Sequence, residues 1–386
     1  MLLDPFCGTG TTLVEAKLNR IRCVGIEANP FAQFASSVKV DWEVDPELLS
    51  KRAREIADSA LKALRAQGIE DNLPLASSRK GLALRTLDPE ALKLLLTNSI
   101  SPIPLHKTLV LLDSLREHQK ETYYRHALLA LGNALVFKIS NLHFGPEVGV
   151  EKPKDDVPVV ASWLCEIDKI ADDLRQVAGK SYPISDVHLA DARQFGDVIR
   201  PNSVDAVITS PPYPNEKDYT RMTRLESVIL GFIKSKAELR ELKKNLVRSN
   251  TRGVYTGDDD DKWVSEHAEI GRIADAIEKR RKELGKNSGF EKMYGRVTRL
   301  YFGGMARHLA QLRTVLRPGA QLAYVVGDQA SYLRVMIRTG QLLADIAQAL
   351  GYELMRIDLF RTRFATATKE QLREEVMVLQ WPGKER

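Results

Sequence analysis

The spacing of apolar positions changes several times along the chain, and these changes predict the order of its helices and strands. Residues 1–3 end a short apolar run, and a Gly-rich turn follows at residues 5–12. Apolar residues then recur at helical spacing over residues 13–18, and residues 22–27 form a second apolar run of strand length. Strand, Gly-rich turn, helix and strand in this order are typical of the start of a doubly wound α/β sheet.

The alternation of strands and helices stops after the second strand and resumes much later. Residues 43–180 are rich in Leu, Ala, Lys, Arg and Glu at helical spacing, which predicts a helical insertion. Strands are predicted again at residues 187–191 and 204–210. Three more follow late in the chain, at residues 320–326, 352–360 and 375–379. We therefore predict a Rossmann-like doubly wound sheet of about seven strands with two largely helical insertions.

This pattern divides the chain into a core and two insertions. The sheet core is expected at residues 1–42, 181–234 and 295–386, with the helical insertion 43–180 between its first two parts. A second insertion, residues 235–294, is basic, because seven Lys and Arg residues stand against two Glu residues from position 234 to position 252. A solvated helix face would explain such a run, but the clustering within a net charge of +6 also favours a polyanionic partner.

Composition excludes several classes of protein. With 44% hydrophobic and 28% charged residues, the 386-residue chain has the make-up of a globular protein. It contains no apolar stretch of about 18 residues and no secretory signal, so we expect no membrane partner. The three cysteines and the seven scattered histidines show neither a disulfide framework nor metal-ligand spacing. We expect no metal site and a location in the reducing cytoplasm.

The first motif with chemical content is the loop from Asp4 to Thr12, between a predicted strand and helix. Gly8 and Gly10 allow the backbone to turn sharply and to approach a ligand closely. Leu13 stands where the third glycine of the dinucleotide-binding motif would fall, so NAD is disfavoured. Glu27 ends the next strand, 23 positions after the start of the loop, where an acidic side chain can accept both hydroxyls of a ribose. A surface carboxylate or a helix cap is the alternative for this glutamate.

The second motif, Thr209 to Pro214, directly follows an apolar strand. Pro211 and Pro212 fix the backbone and remove two N–H donors, which leaves carbonyl oxygens in a rigid turn rich in acceptors. Such a turn can accept hydrogen bonds from an exocyclic amino group, and Tyr213 offers a face on which an unstacked base can lie. An ordinary turn stiffened by proline is the alternative.

Together the two motifs resemble those of the amino-group DNA methyltransferases, which use S-adenosylmethionine to modify cytosine N4 or adenine N6. The loop from Asp4 to Thr12 resembles their cofactor loop, and Ser210 to Tyr213 resembles their catalytic motif. The resemblance extends over the sheet core and not over the insertions. It implies S-adenosylmethionine as cofactor and double-stranded DNA with a flipped base as partner, and it leaves open whether a restriction endonuclease accompanies the protein.

The resemblance also implies roles for individual residues. Contacts with the cofactor are expected from Asp4, Phe6, Gly8, Gly10, Thr11, Glu27, Asp191 and Ala192. Among these, Glu27 would bind the ribose and Asp191 the amino group of the adenine, although Asp191 could also be a loop or cap residue. The catalytic set is Ser210, Pro211, Pro212 and Tyr213. In that set, Ser210 and the carbonyl oxygen of Pro211 would hold the target amine, with Tyr213 stacked on the base.

The expected reaction needs no covalent nucleophile from the protein. An exocyclic amine conjugated to its ring is a weak nucleophile, so the site must orient and polarise it. Cys7 is therefore expected to be a packing residue. A serine before Pro-Pro-Tyr resembles the cytosine-N4 enzymes more than the adenine-N6 enzymes. We favour cytosine N4 as the target atom, with adenine N6 as the alternative.

The insertions are the expected places for DNA recognition. Lys243, Lys244 and Arg248 in the basic insertion are expected to contact phosphates, whereas the 43–180 block would either read bases or brace the sheet. An RNA or tRNA base methyltransferase is a second interpretation, since related catalytic loops serve that chemistry. A non-catalytic nucleic-acid-binding protein is a third, because the family has a further motif upstream of the cofactor loop and only three residues precede Asp4.

Overall fold

A mixed sheet forms the centre of the computed structural model, which describes residues 1–72, 83–145, 147–364 and 371–383. The strands in these ranges are β1 (Leu2–Asp4), β2 (Cys23–Glu27), β3 (Leu142–Phe144), β4 (Val148–Val150), β5 (Asp186–Leu189), β6 (Val204–Thr209), β7 (Leu316–Gly327), β8 (Glu353–Phe364) and β9 (Gln371–Gln380). Seven of them form one sheet in the order β5-β2-β1-β6-β7-β9-β8. The strands from β5 to β7 are parallel, and β9 is antiparallel to both of its neighbours. The predicted α/β sheet of about seven strands is confirmed.

Helices account for most of the remaining described chain. They are α1 (Thr11–Leu18), α2 (Pro30–Lys39), α3 (Pro46–Ala66), α4 (Pro89–Leu92), α5 (Pro102–Arg116), α6 (Tyr124–Ala134), α7 (Val159–Val177), α8 (Tyr219–Met222), α9 (Arg224–Ile229), α10 (Lys236–Lys244), α11 (Ala268–Glu283), α12 (Tyr294–Leu312) and α13 (Thr339–Ala349). No helix in these ranges is long and apolar enough to cross a membrane.

The chain divides into two compact units. Unit 1 comprises residues 1–36, 182–218 and 241–386, and unit 2 comprises residues 37–181 and 219–240. This division assigns 219–240 to the helical unit and 241–294 to the unit of the sheet, whereas the sequence suggested boundaries at 234 and 294. The roles expected for the two insertions stay predictions.

Unit 1 is built around the seven-stranded sheet. Leu3, Val24 and Val207 from the parallel strands are buried in one hydrophobic cluster with Phe302 and Leu309 of α12. Because parallel strands end at the same edge of a sheet, the loops after β1, β2, β5, β6 and β7 all open at that edge. The register Leu3 opposite Val24 and Val207 places the ends of β1, β2 and β6 side by side.

A close approach in unit 1 explains one glycine of α12. A Cβ atom on Gly303 would lie 1.9 Å from the carbonyl oxygen of Asp260, which begins a 3₁₀ turn over Asp260–Val264. No other residue type fits there without moving the backbone, so the acidic run of the sequence packs directly on α12. Its partners are described with the site.

Unit 2 is largely helical, as the pattern of residues 43–180 predicted; residues 73–82 of that block lie outside the described residues. Its helix α3 begins after Asp45, whose side chain accepts hydrogen bonds from two backbone N–H groups of the first turn. Trp163 of α7 is fully buried and donates to the carbonyl oxygen of Ala127 at 2.9 Å. The antiparallel strands β3 and β4 are an element that the helical pattern did not predict.

Candidate functional site

The loop after β1 is anchored by a buried carboxylate. Asp4 is 3% exposed, and its Oδ1 accepts a hydrogen bond from the backbone N–H of Phe6 at 3.1 Å and another from the hydroxyl of Thr209 at 2.6 Å. Burial raises the pKa of Asp4, while hydrogen bonds from Thr209 and Thr12 oppose that shift. Since Thr209 ends β6, this one carboxylate joins the predicted cofactor loop to the predicted catalytic loop.

The glycines of the loop lie beside the end of β2. Gly8 and Gly10 have φ angles of +53° and +89°, in the left-handed region that favours glycine. The N–H of Gly8 donates to one carboxylate oxygen of Glu27 at 2.9 Å, and the N–H of Asn29 donates to the other at 2.7 Å. Burial raises the pKa of Glu27. No heavy atom of the described chain lies within 4 Å of the position that a Cβ on Gly8 would take, so open space borders this loop.

Asp191 follows β5 at the same edge and is held by an arginine that the sequence reasoning missed. Its two carboxylate oxygens accept from the backbone N–H and the guanidinium of Arg193 at 2.7 to 3.1 Å. Arg193 is itself buried and also pairs with Asp260, which in turn accepts from Arg307 of α12 at 3.3 Å. Asp191 is therefore fixed in direction by a buried network of charges that reaches into the acidic run.

His308 of α12 connects two parts of the candidate site from behind and was likewise missed. Its Nδ1 lies 2.7 Å from the carbonyl oxygen of Ala192, its Nε2 lies 2.7 Å from the hydroxyl of Tyr324, and its ring meets that of Phe6 edge to face at 4.9 Å. Burial lowers its pKa to about 4, so the imidazole is neutral at pH 7. Because a carbonyl can only accept, Nδ1 carries the proton and donates to Ala192, and Nε2 accepts from Tyr324.

The turn after β6 holds the predicted catalytic residues. Ser210 is exposed, Pro211 is buried, and Pro212 and Tyr213 are half-buried. A hydrogen bond joins the Ser210 side chain to the Tyr213 hydroxyl, and burial raises the pKa of that hydroxyl. The Tyr213 ring lies against the end of β7, since a Cβ on Gly327 would be only 3.0 Å from its Cε2 atom.

The structure thus places the predicted cofactor and catalytic residues at one edge of the sheet in unit 1. The two loops follow β1 and β6, which are neighbours in the sheet, and the bond between Asp4 and Thr209 joins them. Thr11 lies exposed at the start of α1, beside this loop. An acceptor-rich turn, a Gly-rich loop and a carboxylate at the end of the adjoining strand together suit a nucleotide-like ligand and a neighbouring amine.

The predicted phosphate-binding residues already have partners within unit 1. Lys243 pairs with the buried Asp218 at 2.6 Å, and Lys244 pairs with a neighbouring glutamate at 2.7 Å. Arg248 is 4% exposed, and its five N–H donors reach the carboxylate of Asp258 and three backbone carbonyl oxygens. The Lys243 pair holds the end of α10 to Asp218, which follows the catalytic turn. Contact of the three basic residues with DNA stays a prediction.

Comparisons with known proteins show which proteins this chain resembles. Residues 1–100 match the UPF0020 family, described as an RMKL-like methyltransferase domain. The chain is 26% identical to the Type II methyltransferase M.BsoBI of Geobacillus stearothermophilus over 397 residues, which is 96% of this chain and 76% of that protein. It is also 26% identical over 160 residues to the Type II methyltransferases M.AvaI of Nostoc sp. (strain PCC 7120) and of Anabaena variabilis, 40% of this chain and 32% of each relative.

The fold and the comparisons both support a methyltransferase. The seven-stranded sheet with its loop after β1 is a Rossmann-like methyltransferase fold. Within that class, the similarity to Type II methyltransferases over most of the chain confirms the resemblance to the DNA methyltransferase family that the two motifs predicted.

Proposed function

We propose that this protein is a site-specific DNA methyltransferase that transfers a methyl group from S-adenosylmethionine to the exocyclic amino group of a flipped base, with cytosine N4 as the favoured target. The hydrogen bond between Asp4 and Thr209 carries this proposal, because it fixes a Gly-rich ligand loop next to an acceptor-rich turn. Transfer between two substrates requires such adjacent sites. The Type II methyltransferases among its relatives support DNA as the substrate. The three free cysteines fit work in the reducing cytoplasm.

The residues after β1 and β2 fit an adenosine cofactor. Open space borders Gly8, and the Glu27 carboxylate at its side can accept hydrogen bonds from ribose hydroxyls. Asp191 would accept from the adenine amino group. Its carboxylate is held by Arg193, which leaves acceptor positions on its oxygens while preventing the side chain from turning away. Bound S-adenosylmethionine supplies an electrophilic methyl group on a sulfonium sulfur.

The turn after β6 would orient and polarise the amine. Ser210 Oγ and the Pro211 carbonyl oxygen would accept the two amino hydrogens, which draws them out of the plane of the base and makes the nitrogen lone pair available. If Ser210 donates its own proton to Tyr213, both lone pairs of its oxygen remain free to accept from the amine. Tyr213 would support the base on its ring face, and Pro212 would keep the turn rigid. As positive charge develops on the nitrogen, these acceptors stabilise it.

DNA contact by Lys243 and Lys244 remains part of the proposal, with Arg248 as the least accessible of the three predicted cations. Lys243 also holds the end of α10 to Asp218, Lys244 pairs within α10, and Arg248 holds the segment after α10 to Asp258. Neutralising them is expected to lower stability as well as DNA affinity, so their variants need a thermal melt beside every binding measurement.

The test is methyl transfer from labelled S-adenosylmethionine to unmethylated genomic DNA, followed by digestion and mass analysis of the nucleosides. We expect N4-methylcytosine from the wild type and none from Ser210→Ala. The matched control is Ser265→Ala, which removes the same hydroxyl at an exposed position directly after the 3₁₀ turn that precedes α11. Equal methylation by both serine variants would contradict the role of Ser210.

The same experiment separates the alternatives. N6-methyladenine without N4-methylcytosine moves the target to adenine, and label in tRNA but not in DNA supports an RNA substrate. Absence of transfer together with absence of S-adenosylmethionine binding in calorimetry supports a non-catalytic nucleic-acid-binding protein.

A further inference from the structure

Next to Tyr213, a row of side chains crosses three strands of the sheet. Gly327 of β7 lies opposite Glu374 of β9, and Glu374 lies opposite Arg361 of β8. Directly opposed residues of neighbouring strands point to the same face, so the Glu374 and Arg361 side chains project on one face. The Tyr213 ring covers Gly327 at the end of this row, close to the Glu374 side chain. Glu374 is therefore close to Tyr213, and Arg361 lies one strand further away in the sheet.

Several arginines near this row are paired in the same way: each exposed guanidinium forms an ion pair with a buried carboxylate. Three pairs have this form: Asp328 with Arg338 at 2.5 Å, Glu375 with Arg373 at 3.0 Å, and Glu374 with Arg361. The carboxylate side chains are 1 to 8% exposed, whereas the arginine side chains are 41 to 67% exposed. Arg363, a further exposed arginine, stands two positions after Arg361 and therefore on the same face of β8. These two residues form the arginine rim, defined as Arg361 and Arg363, whereas Arg373 and Glu375 project from the other face of the sheet.

The Arg361 side chain remains largely exposed in its pair. The contact with Glu374 runs through Nε, and the guanidinium also lies over the ring of Phe360, 5.8 Å from its centroid. A guanidinium held at one nitrogen keeps a planar fork of donors in a fixed direction, and this fork matches the oxygens of a phosphate. Because each of these carboxylates is buried, removing its arginine leaves a buried charge without its partner, so every arginine variant needs a thermal melt beside its binding measurement.

The sequence around the rim favours a nucleic acid over a free anion. Phe360 and Phe364 flank Arg361 and Arg363 on β8 and are 62% and 66% exposed. Exposed aromatic side chains alternating with arginines are typical of surfaces that bind nucleic acids, where apolar and cationic groups contact bases, sugars and phosphates in turn. Burial raises the pKa of the Tyr213 hydroxyl, and the charges of Arg363 and Arg361 oppose that shift.

We propose that the arginine rim, Arg361 and Arg363, binds phosphates of the DNA strand that carries the target base. This inference rests on the proposed function, because it assumes that Tyr213 faces the flipped base. It adds a DNA-backbone surface on β8 that is separate from the lysines at the end of α10.

The test compares DNA affinity at several salt concentrations for the wild type and for the double variant Arg361→Gln, Arg363→Gln. Each lost phosphate contact lowers the slope of log affinity against log salt by about 0.9, so the double variant is expected to lose about 2 units of slope. Arg356→Gln is the matched control: Arg356 is on the same strand, 62% exposed and paired with Asp358, but lies toward the other end of β8. Its slope should equal that of the wild type.

The outcomes of this test separate the two proposals. If the wild type binds duplex DNA and S-adenosylmethionine while the double variant keeps the full slope, the arginine rim is wrong and the proposed function stands. If Arg356→Gln lowers the salt slope as much as the double variant does, the overall charge of the protein and not this surface determines DNA affinity. The arginine rim is then wrong as well. A loss of slope seen with single-stranded RNA but not with duplex DNA overturns DNA as the occupant. A wild type that binds neither duplex DNA nor the cofactor overturns both proposals.

Discussion

Replacing Gly327 by alanine tests whether the position of the Tyr213 ring matters for catalysis. The added methyl carbon would lie 3.0 Å from Cε2 and 3.5 Å from Cδ2 of Tyr213, and 3.4 Å from Cγ of Glu374. Carbon atoms in good contact are about 3.5 to 4.0 Å apart, so the ring must move away by roughly half an ångström or more. The φ angle of Gly327 lies outside the left-handed region, so the backbone accepts alanine and the strain is confined to the contact with the ring.

The packing around Gly327 gives limits for the expected fall in the rate of methyl transfer. Adding one methyl group to a well-packed position costs about 1 to 3 kcal/mol, and each 1.4 kcal/mol of lost transition-state stabilisation lowers the rate about tenfold. We therefore expect kcat for methyl transfer to fall roughly 10- to 100-fold. The KM for S-adenosylmethionine should hardly change, since Asp4, Gly8 and Glu27 lie at the ends of β1 and β2, with β6 between them and Gly327.

The measurement is steady-state methyl transfer with each substrate varied in turn. Gly271→Ala in α11 is the control, because no heavy atom lies within 4 Å of the added methyl group and alanine favours the helix by about 1 kcal/mol. It should be fully active and slightly more stable. Wild-type kcat in Gly327→Ala, at an unchanged melting temperature, would refute the idea that the ring is placed for the reaction.

Two further substitutions test buried groups of each unit. Thr209→Val removes the donor to the buried Asp4 and should weaken S-adenosylmethionine binding in calorimetry about 10- to 100-fold, whereas Thr209→Ser should bind as the wild type does. An equal loss in both variants would point to packing instead. Burial raises the pKa of Glu226 from 4.5 to about 8, so its contribution to folding is fully present below pH 4.5 and is lost as the pH rises through about 8. Above pH 8, the free energy of unfolding of Glu226→Gln should therefore exceed that of the wild type by up to roughly 5 kcal/mol, and at pH 4.5 the two should differ little. Urea unfolding at both pH values measures this difference. The exposed Glu43→Gln is the control, and parallel pH profiles for Glu226→Gln and wild type would disprove the effect.

Local patterns were sufficient to predict most of the sheet. The pattern predicted β6, β7 and β9 at residues 204–210, 320–326 and 375–379, and the structure has them at Val204–Thr209, Leu316–Gly327 and Gln371–Gln380. The last two begin about four residues earlier than predicted, in polar stretches that the apolar pattern does not cover. The rule that parallel strands end at one edge then predicted that the loops after β1 and β6 would share that edge. Strands β3 and β4 are three residues each, too short for any alternation of apolar and polar positions to be read.

Contacts between distant segments could not be read from spacing. His308 meets Ala192 from 116 residues away, and Arg193 meets Asp260 from 67 residues away. In the sequence, His308 is one polar position on an otherwise amphipathic helix, and Asp260 is one of four consecutive aspartates. Whether a helix directs such a residue at a ligand loop depends on how the helix crosses the sheet, and local periodicity contains no information on that crossing.

The basic residues show why a count of charges along the chain predicts a partner better than it predicts the contact. Arg248 belongs to the densest basic run, yet all five of its donors are used within the chain. Its removal would leave Asp258, whose side chain is 11% exposed, without its counter-charge. Arg361 lies in β8, which the sequence does not mark as a basic segment. Its side chain is nevertheless 67% exposed and is held by the carboxylate of Glu374. An arginine can bind a phosphate only if the folded chain leaves some of its N–H donors without an acceptor. That surplus of donors is a property of the folded surface, and here it lies beside Tyr213.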